Sequence, residues 1–294
     1  MANYSIWVLE YSYVPDYPMS AILYGAHNCG TRRLPYSYVV LKGCGHIAMV
    51  DVGYNHVGWG KAFAERLGVR GWRSPEDVLG RIDLSPNDVD TVLLTHLHFD
   101  HAGNLAAFPK AKVFVQEREI VRNVWAMSLP PRFSFLSGGT DPGDVLSCVE
   151  LARNGRLTLI NGDATDVLPG IDVHAAFDTH SFGSMYVVVR NDGAANSADR
   201  WVLSGDLVYV YENLCGDAVL TGGAQAYIPV GFAIGSGADL VLTADAIMEA
   251  AGGEIHRVVP VHEDRLHEHF PSRTEGGLRI TEICLADGET SRVQ

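Results

Sequence analysis

The chain has 294 residues, 47% of them apolar and 19% charged, with a formal net charge of −13. That composition can build a sizeable core, and it excludes nucleic acid and anionic membrane surfaces as partners, because both need concentrated Lys and Arg. A neutral or cationic small molecule is the expected ligand, although bound divalent cations would locally reverse the sign.

The start, MANYSIWVLEYSYVPDYP, has no basic segment leading into an apolar run. No apolar stretch reaches the roughly 18 residues that a membrane span needs. The five cysteines, Cys29, Cys44, Cys148, Cys215 and Cys284, form no C-x-x-C pair, which fits reduced thiols and a cytoplasmic location.

Strand-like runs rich in β-branched and aromatic residues recur at 36–41, 46–52, 91–94, 112–116, 156–160, 171–177, 185–190, 200–206, 257–262 and 279–286. Helical periodicity occupies 57–67, 117–128, 143–153 and 238–251, the last ending on glycines suited to a C-terminal cap. Two strand-rich halves, each followed by helices, predict an α/β sandwich of four layers in a single domain, residues 1–294. Segments 10–35, 125–145 and 213–237 are the least regular and are expected to be lids or pocket walls. The middle one carries Trp125, Met127, Leu129, Phe133 and Phe135, side chains suited to a substrate pocket. The same apolar surface is equally compatible with a satellite core or a homodimer interface.

The densest chemistry lies in LLTHLHFDHAG, residues 93–103, where His96, His98, Asp100 and His101 occupy six consecutive positions. The segment follows the buried run TVLL, so its polar residues emerge at a strand's C-terminal end, where ligand sites gather in layered α/β folds. His96 and His98 are two apart and share a face of extended chain, while Gly103 is expected to free the backbone to bend. Imidazole and carboxylate donors without thiolates point to a catalytic zinc site, with manganese, iron, cobalt or nickel as alternatives. Further donors follow strands downstream: His180 in AFDTHSFGS, Asp206 in WVLSGDLVY and His262 in VVPVHED. The other histidines, at 27, 46, 56, 174, 256, 267 and 269, have no such context; His174 reads as a partnered core residue.

H-x-H-x-D-H, a lone His, an Asp after Gly and a final His, preceded by MVDVG, resemble the metallo-β-lactamase superfamily over roughly residues 36–285. The resemblance implies the αββα metallo-β-lactamase fold and two divalent metal ions per chain. His96, His98 and His180 would hold one, Asp100, His101 and His262 the other, and Asp206 would bridge them. Asp51 would sit behind the site and orient a ligand. Such a pair would share a hydroxide, ionised near neutral pH, that attacks a carbonyl.

Among relatives, His98 where the redox di-iron members have Glu, and Asp206 where the antibiotic-degrading enzymes have Cys or Ser, argue against both groups. Glyoxalase II keeps all seven ligands, but its basic C-terminal patch is represented here only by Arg273 and Arg279. Mononuclear iron dioxygenases share the first motif and stay open on it alone. The chain is most similar to the N-acyl-homoserine lactonases: Phe99 within HLHFDHAGN, Tyr209 three residues after Asp206, VFVQERE, and the ending GLRITEICLADGETSR. That similarity implies lactone hydrolysis, with Tyr209 bonding the carbonyl, Asp100 moving the proton and Phe99 against the substrate. Cyclic amides, carboxyl esters and thioesters remain alternative substrates. The segment 214–237 and DTHSFGS depart from the family pattern.

Overall fold

The computed structural model describes residues 3 to 293. Alternation along β1 (Tyr4–Pro18) dictates the architecture: Tyr4, Ile6 and Val8 point one way, Trp7 and Leu9 the other, and none is more than 2% exposed. A strand buried on both faces needs a layer on each side. Tyr4, Ile6 and Val8 pack with Leu41, Val50 and Leu93 against Ile171, Val173, Met185, Val187 and Leu203 of a second sheet. Trp7 and Leu9 join Tyr38, Val40, Met49, Val92 and Val113 beneath Ala64, Val78, Val145 and Leu151 of the outer helices.

The first sheet comprises β1, β2 (Thr31–Gly43), β3 (His46–Val50), β4 (Thr91–Leu93), β5 (Lys112–Gln116), β6 (Leu157–Ile160), β12 (Ser272–Glu275) and β13 (Leu278–Cys284). Their order is β12-β13-β1-β2-β3-β4-β5-β6, with β3 to β6 parallel. The second sheet comprises β7 (Ala164–Leu168), β8 (Ile171–Phe177), β9 (Gly183–Arg190), β10 (Arg200–Leu203) and β11 (Val258–Val259), in the order β11-β10-β9-β8-β7. Helices Gly58–Leu67 and Pro142–Arg153 cover the first sheet, and Gly237–Ala250 covers the second with Leu240, Ala244 and Ile247. The four-layer sandwich expected from the sequence is the observed one. No helix among the described residues is long and apolar enough to cross a membrane.

The largest departure from expectation is at the N-terminus. Residues 10–35, expected to be irregular, contain the far half of β1 and the start of β2, paired from Tyr4↔Gly43 to Pro18↔Thr31. Glu10 and Ser12 break the apolar pattern yet are buried. Glu10 forms an ion pair with Arg33 at 2.5 Å, so a charge in mid-strand is neutralised across the ladder. Strands β7 and β12 also lie in stretches without strand-like sequence; β7 carries Thr165, Asp166 and the left-handed turn of Asp166, φ 50°.

Helix Pro142–Arg153 begins on Asp141, whose Oδ1 accepts from the Gly143 N–H at 2.8 Å. Asp144, in its first turn, is buried, and its Oδ2 has no hydrogen-bond partner. Burial, and then the Asp141 carboxylate, pushes its pKa up to about 8. A carboxyl raised above its unfolded value of roughly 3.9 contributes stability that is complete below that pH and is lost as pH climbs through the folded value. Asp144→Asn is therefore expected to flatten the alkaline fall in stability. Melting curves between pH 5 and 9 should show the wild type losing several degrees relative to the variant, and parallel curves would contradict the assignment.

Candidate metal centre

Four strand ends converge on one point at the edge of the sandwich. After β4 the chain runs extended through His96 and His98, then makes one helical turn, Phe99–Ala102. That turn carries His101 back to His96, with ring centroids 4.2 Å apart. Gly103 closes it at φ −73°, an ordinary right-handed value. Its need for glycine is spatial rather than the backbone freedom expected: an added Cβ would lie 2.7 Å from the Tyr54 Cα. From the second sheet, His180 follows β8, Asp206 follows β10 and His262 follows β11. Gly205, at φ 51°, lets the chain turn tightly enough to aim Asp206 inward, and a Cβ there would strike the Thr95 side chain at 2.8 Å.

Asp206 occupies the centre. Its Oδ2 lies 3.2 Å from His180 Nε2 and 3.8 Å from His96 Nε2, while its Oδ1 lies 3.0 Å from both His101 Nε2 and His262 Nε2. Donor atoms of His96, His98, His180 and Asp206 fall within 4.8 Å of one another, as do those of Asp100, His101 and His262. All seven sequence-derived donors are thus brought together, in two adjoining groups. His96 Nε2, His101 Nε2 and Asp206 Oδ1 are buried without a hydrogen-bond partner, although two of these atoms are 3.0 Å apart. Close, misaligned lone pairs in a buried space are the arrangement that cations satisfy and hydrogen bonds do not. The donor set therefore fits two divalent metals.

The rings are held by their far nitrogens. Nδ1–H donates to the Phe232 carbonyl from His180 (2.9 Å), to the Pro35 carbonyl from His262 (2.7 Å) and to Asp51 Oδ2 from His101 (2.7 Å). The Thr95 hydroxyl donates to Asp51 Oδ2, leaving its oxygen to accept from His96 Nδ1 at 3.0 Å. Each of these four bonds fixes a tautomer with Nε2 facing the cluster. Asp51 also accepts from the Thr95 N–H, and it sits at φ 63°, a left-handed value that Asp tolerates. It takes the position behind the donors that the sequence suggested.

Burial, then the neighbouring imidazoles, holds His96 and His98 well below the usual histidine range, so both are neutral. Burial opposes the charge on Asp206, but His101 and His262 outweigh it and keep that carboxylate ionised. Asp100 is raised, with burial the main cause.

Above the donors lies a cavity of about 160 Å³ whose floor includes His98, Asp100, Asp206 and His262. Phe99 and Tyr209 line it; the Tyr209 ring stands edge-on to His262, centroids 4.9 Å apart. The aromatic segment is placed differently. Trp125 packs on Phe182 and under Arg122, Met127 lines a neighbouring cleft, Phe133 stands at the surface, and the exposed Phe135 ring stands edge-on to Phe232, centroids 6.0 Å apart. The 3₁₀ helix Pro131–Ser137 contains no buried residue, and none of its side chains lines the cavity.

The walls come from Tyr17 and Leu34 of segment 10–35 and Phe232 of segment 213–237, two of the stretches expected to form lids or pocket walls, together with Tyr36, Phe63 and Leu67, which the sequence did not single out. Phe232 carried a faint signal, an aromatic between glycines in VGFAIGSG, where the chain bonds to 178–180 and 21–22. None of the seven remaining histidines lines the cavity; His174 is half-exposed on the outer face of β8, beside Asp163, rather than in the core.

The family model of the metallo-beta-lactamase superfamily matches residues 30–268. An N-acyl homoserine lactonase, AiiB of Rhizobium rhizogenes, is 29% identical over 115 residues, 38% of this chain and 39% of that protein, so the matched stretch spans well under half of the relative. Among solved structures, an N-acyl homoserine lactone hydrolase with N-hexanoyl-L-homoserine bound at its catalytic metal centre superposes with a TM-score of 0.63. The two share 18% identity over 92% of this chain and 97% of the other. The hydrolase AbOPH superposes at 0.59 with 15% identity over 98% and 99%. At such identities the structural likeness speaks for the fold alone. The family match, covering most of the chain and containing every donor described above, establishes that this protein belongs to the metallo-beta-lactamase superfamily.

Proposed function

We propose that the protein is a dinuclear metal-dependent hydrolase that opens a lactone ring, an N-acyl-homoserine lactone or a similar cyclic ester. The observation that carries this reading is the split of Asp206 between two histidine groups at the floor of an apolar cavity that also holds the Tyr209 phenol. His96, His98 and His180 would hold one cation, Asp100, His101 and His262 the other, with Asp206 between them. Two bound divalent cations, zinc foremost for these donors, would supply an ionised water near neutral pH and polarise the carbonyl under attack.

The protein's own groups do the rest. Burial first, and the Asp206 carboxylate next, hold the Tyr209 phenol well above its usual range, so it is a proton-bearing donor at neutral pH. Its hydroxyl would hydrogen-bond the lactone carbonyl and the negative charge that develops on that oxygen. Asp100 is the carboxylate to carry a proton to the leaving ring oxygen, because it is the more open of the two facing the cavity, 11% exposed against 3% for Asp206. Phe99, Phe63 and Phe232 would lie against the substrate's apolar body and exclude water. The net reaction adds water across the ester and releases one proton at neutral pH.

A pH-indicator screen of the purified protein against acyl-homoserine lactones, other lactones, cyclic amides, thioesters and aryl esters tests this. Acid release is expected with lactones, lost in His98→Ala and reduced about 10²-fold in kcat in Tyr209→Phe, the effect of removing one oxyanion donor. Ester turnover with inert lactones would shift the reading to a carboxyl esterase, and a single iron with oxygen consumption would overturn hydrolysis. Asp51→Asn is expected to weaken metal affinity roughly 10–100-fold, measured by chelator competition, because it loosens His101.

A further inference from the structure

Glu119 lies in the first turn of helix Glu117–Met127, wholly buried, and no ion pair with a cationic side chain accompanies it among the described residues. Its carboxylate is nonetheless fully engaged. Oε1 accepts from the Leu97 N–H at 3.0 Å and the Asn123 side-chain amide at 3.1 Å; Oε2 accepts from the Gly183 N–H at 2.6 Å and the Ser181 hydroxyl at 2.9 Å. Leu97 sits between His96 and His98, and Ser181 follows His180. One side chain therefore spans the two loops that carry three of the histidines, one loop from each sheet.

The spacing it spans is tight. A Cβ on Gly183 would lie 2.4 Å from the Glu119 nitrogen, so the His180 loop rests directly on the helix backbone. Across the same gap His180 Nε2 and His98 Nδ1 stand 2.9 Å apart. Asn123 extends the brace, donating to the Glu119 carbonyl at 2.9 Å and accepting from the Thr140 hydroxyl at 3.0 Å. Gly139, next to Thr140, accepts from the Phe99 N–H at 2.8 Å.

We infer that Glu119 is a positioning residue that sets the separation of the His96–His98 loop from the His180 loop, and so controls the affinity of that half of the metal centre without touching metal or substrate. The inference rests on the ligand reading proposed above. It predicts asymmetry, because Asp100, His101 and His262 are oriented by other groups, Asp51 and the Pro35 carbonyl among them.

The test is removal of metal from the zinc-loaded, full-length protein by a competing chelator, with metal per chain counted at each step. Glu119→Gln keeps the shape but turns an N–H donor toward Leu97 or Gly183. One of the two ions is expected to leave at roughly 10–100-fold lower chelator concentration, the other at the wild-type concentration, on the scale known for groups that orient ligands. Ser181→Ala, which removes one of the four bonds, should shift the same single ion by a smaller factor and covers the case in which Glu119→Gln fails to fold. Glu282→Gln alters a carboxylate that is equally enclosed, bonded to Trp7, Ser291 and Arg292. It should lower the melting temperature without moving either ion. Equal weakening of both ions, or of neither, overturns the positioning role. A wild-type chain that never binds two ions overturns the ligand reading itself, and this inference with it.

Discussion

The whole arrangement turns on a single buried carboxylate that faces four imidazoles. Asp206 has His180 and His96 on one oxygen, His101 and His262 on the other, all within 3.8 Å. Removing so many lone pairs from water is costly unless something positive takes the place of the lost hydration. Everything nearby prevents the cluster from relaxing into ordinary hydrogen bonds. Backbone carbonyls of Pro35 and Phe232 and the Asp51 carboxylate hold the outer ring nitrogens, so the inner ones cannot rotate away.

The centre is also a property of the sandwich rather than of either sheet. The H-x-H-x-D-H segment leaves the first sheet, whereas His180, Asp206 and His262 leave the second. Each sheet supplies a set of donors that is incomplete alone. The inter-sheet core of Ile6, Val8, Leu41, Val173, Val187 and Val189 therefore does more than stabilise the fold: its thickness decides the separation of the donors. Glu10–Arg33–Asp264 and Arg32–Glu263–Arg265 add charged ties near the loop that follows His262.

What could be read in the sequence and what could not divide along physical lines. The seven donors were legible because metal ligation restricts residue type, and four of them sit within six positions of one loop. Most strands and all four long helices were legible from periodicity. β1 was misread because periodicity assumes that polar residues seek solvent; Glu10 is instead satisfied by Arg33 inside the ladder. The cavity walls were legible only as irregular segments, 10–35 and 213–237, and not as particular side chains. Tyr17, Tyr36, Phe63 and Phe232 are far apart in the chain, and an aromatic side chain is the same letter whether it fills a core or faces a ligand. The apolar segment 125–135, conspicuous as text, lines no part of that cavity: Trp125 packs on Phe182, Met127 faces a neighbouring cleft, and the 3₁₀ helix Pro131–Ser137 has no buried residue.

The charged and imidazole groups of the cavity lie at its base, His98, Asp100, Asp206 and His262, and its sides are mainly Leu and aromatic rings. For an amphiphilic molecule this is a one-way gradient. Entering polar end first removes apolar surface from water along the sides; entering the other way strips a polar group of hydration against Leu34, Phe63 and Leu67 with nothing to replace it. Orientation would then be sorted by solvation along the channel, before any hydrogen bond to a particular atom is made.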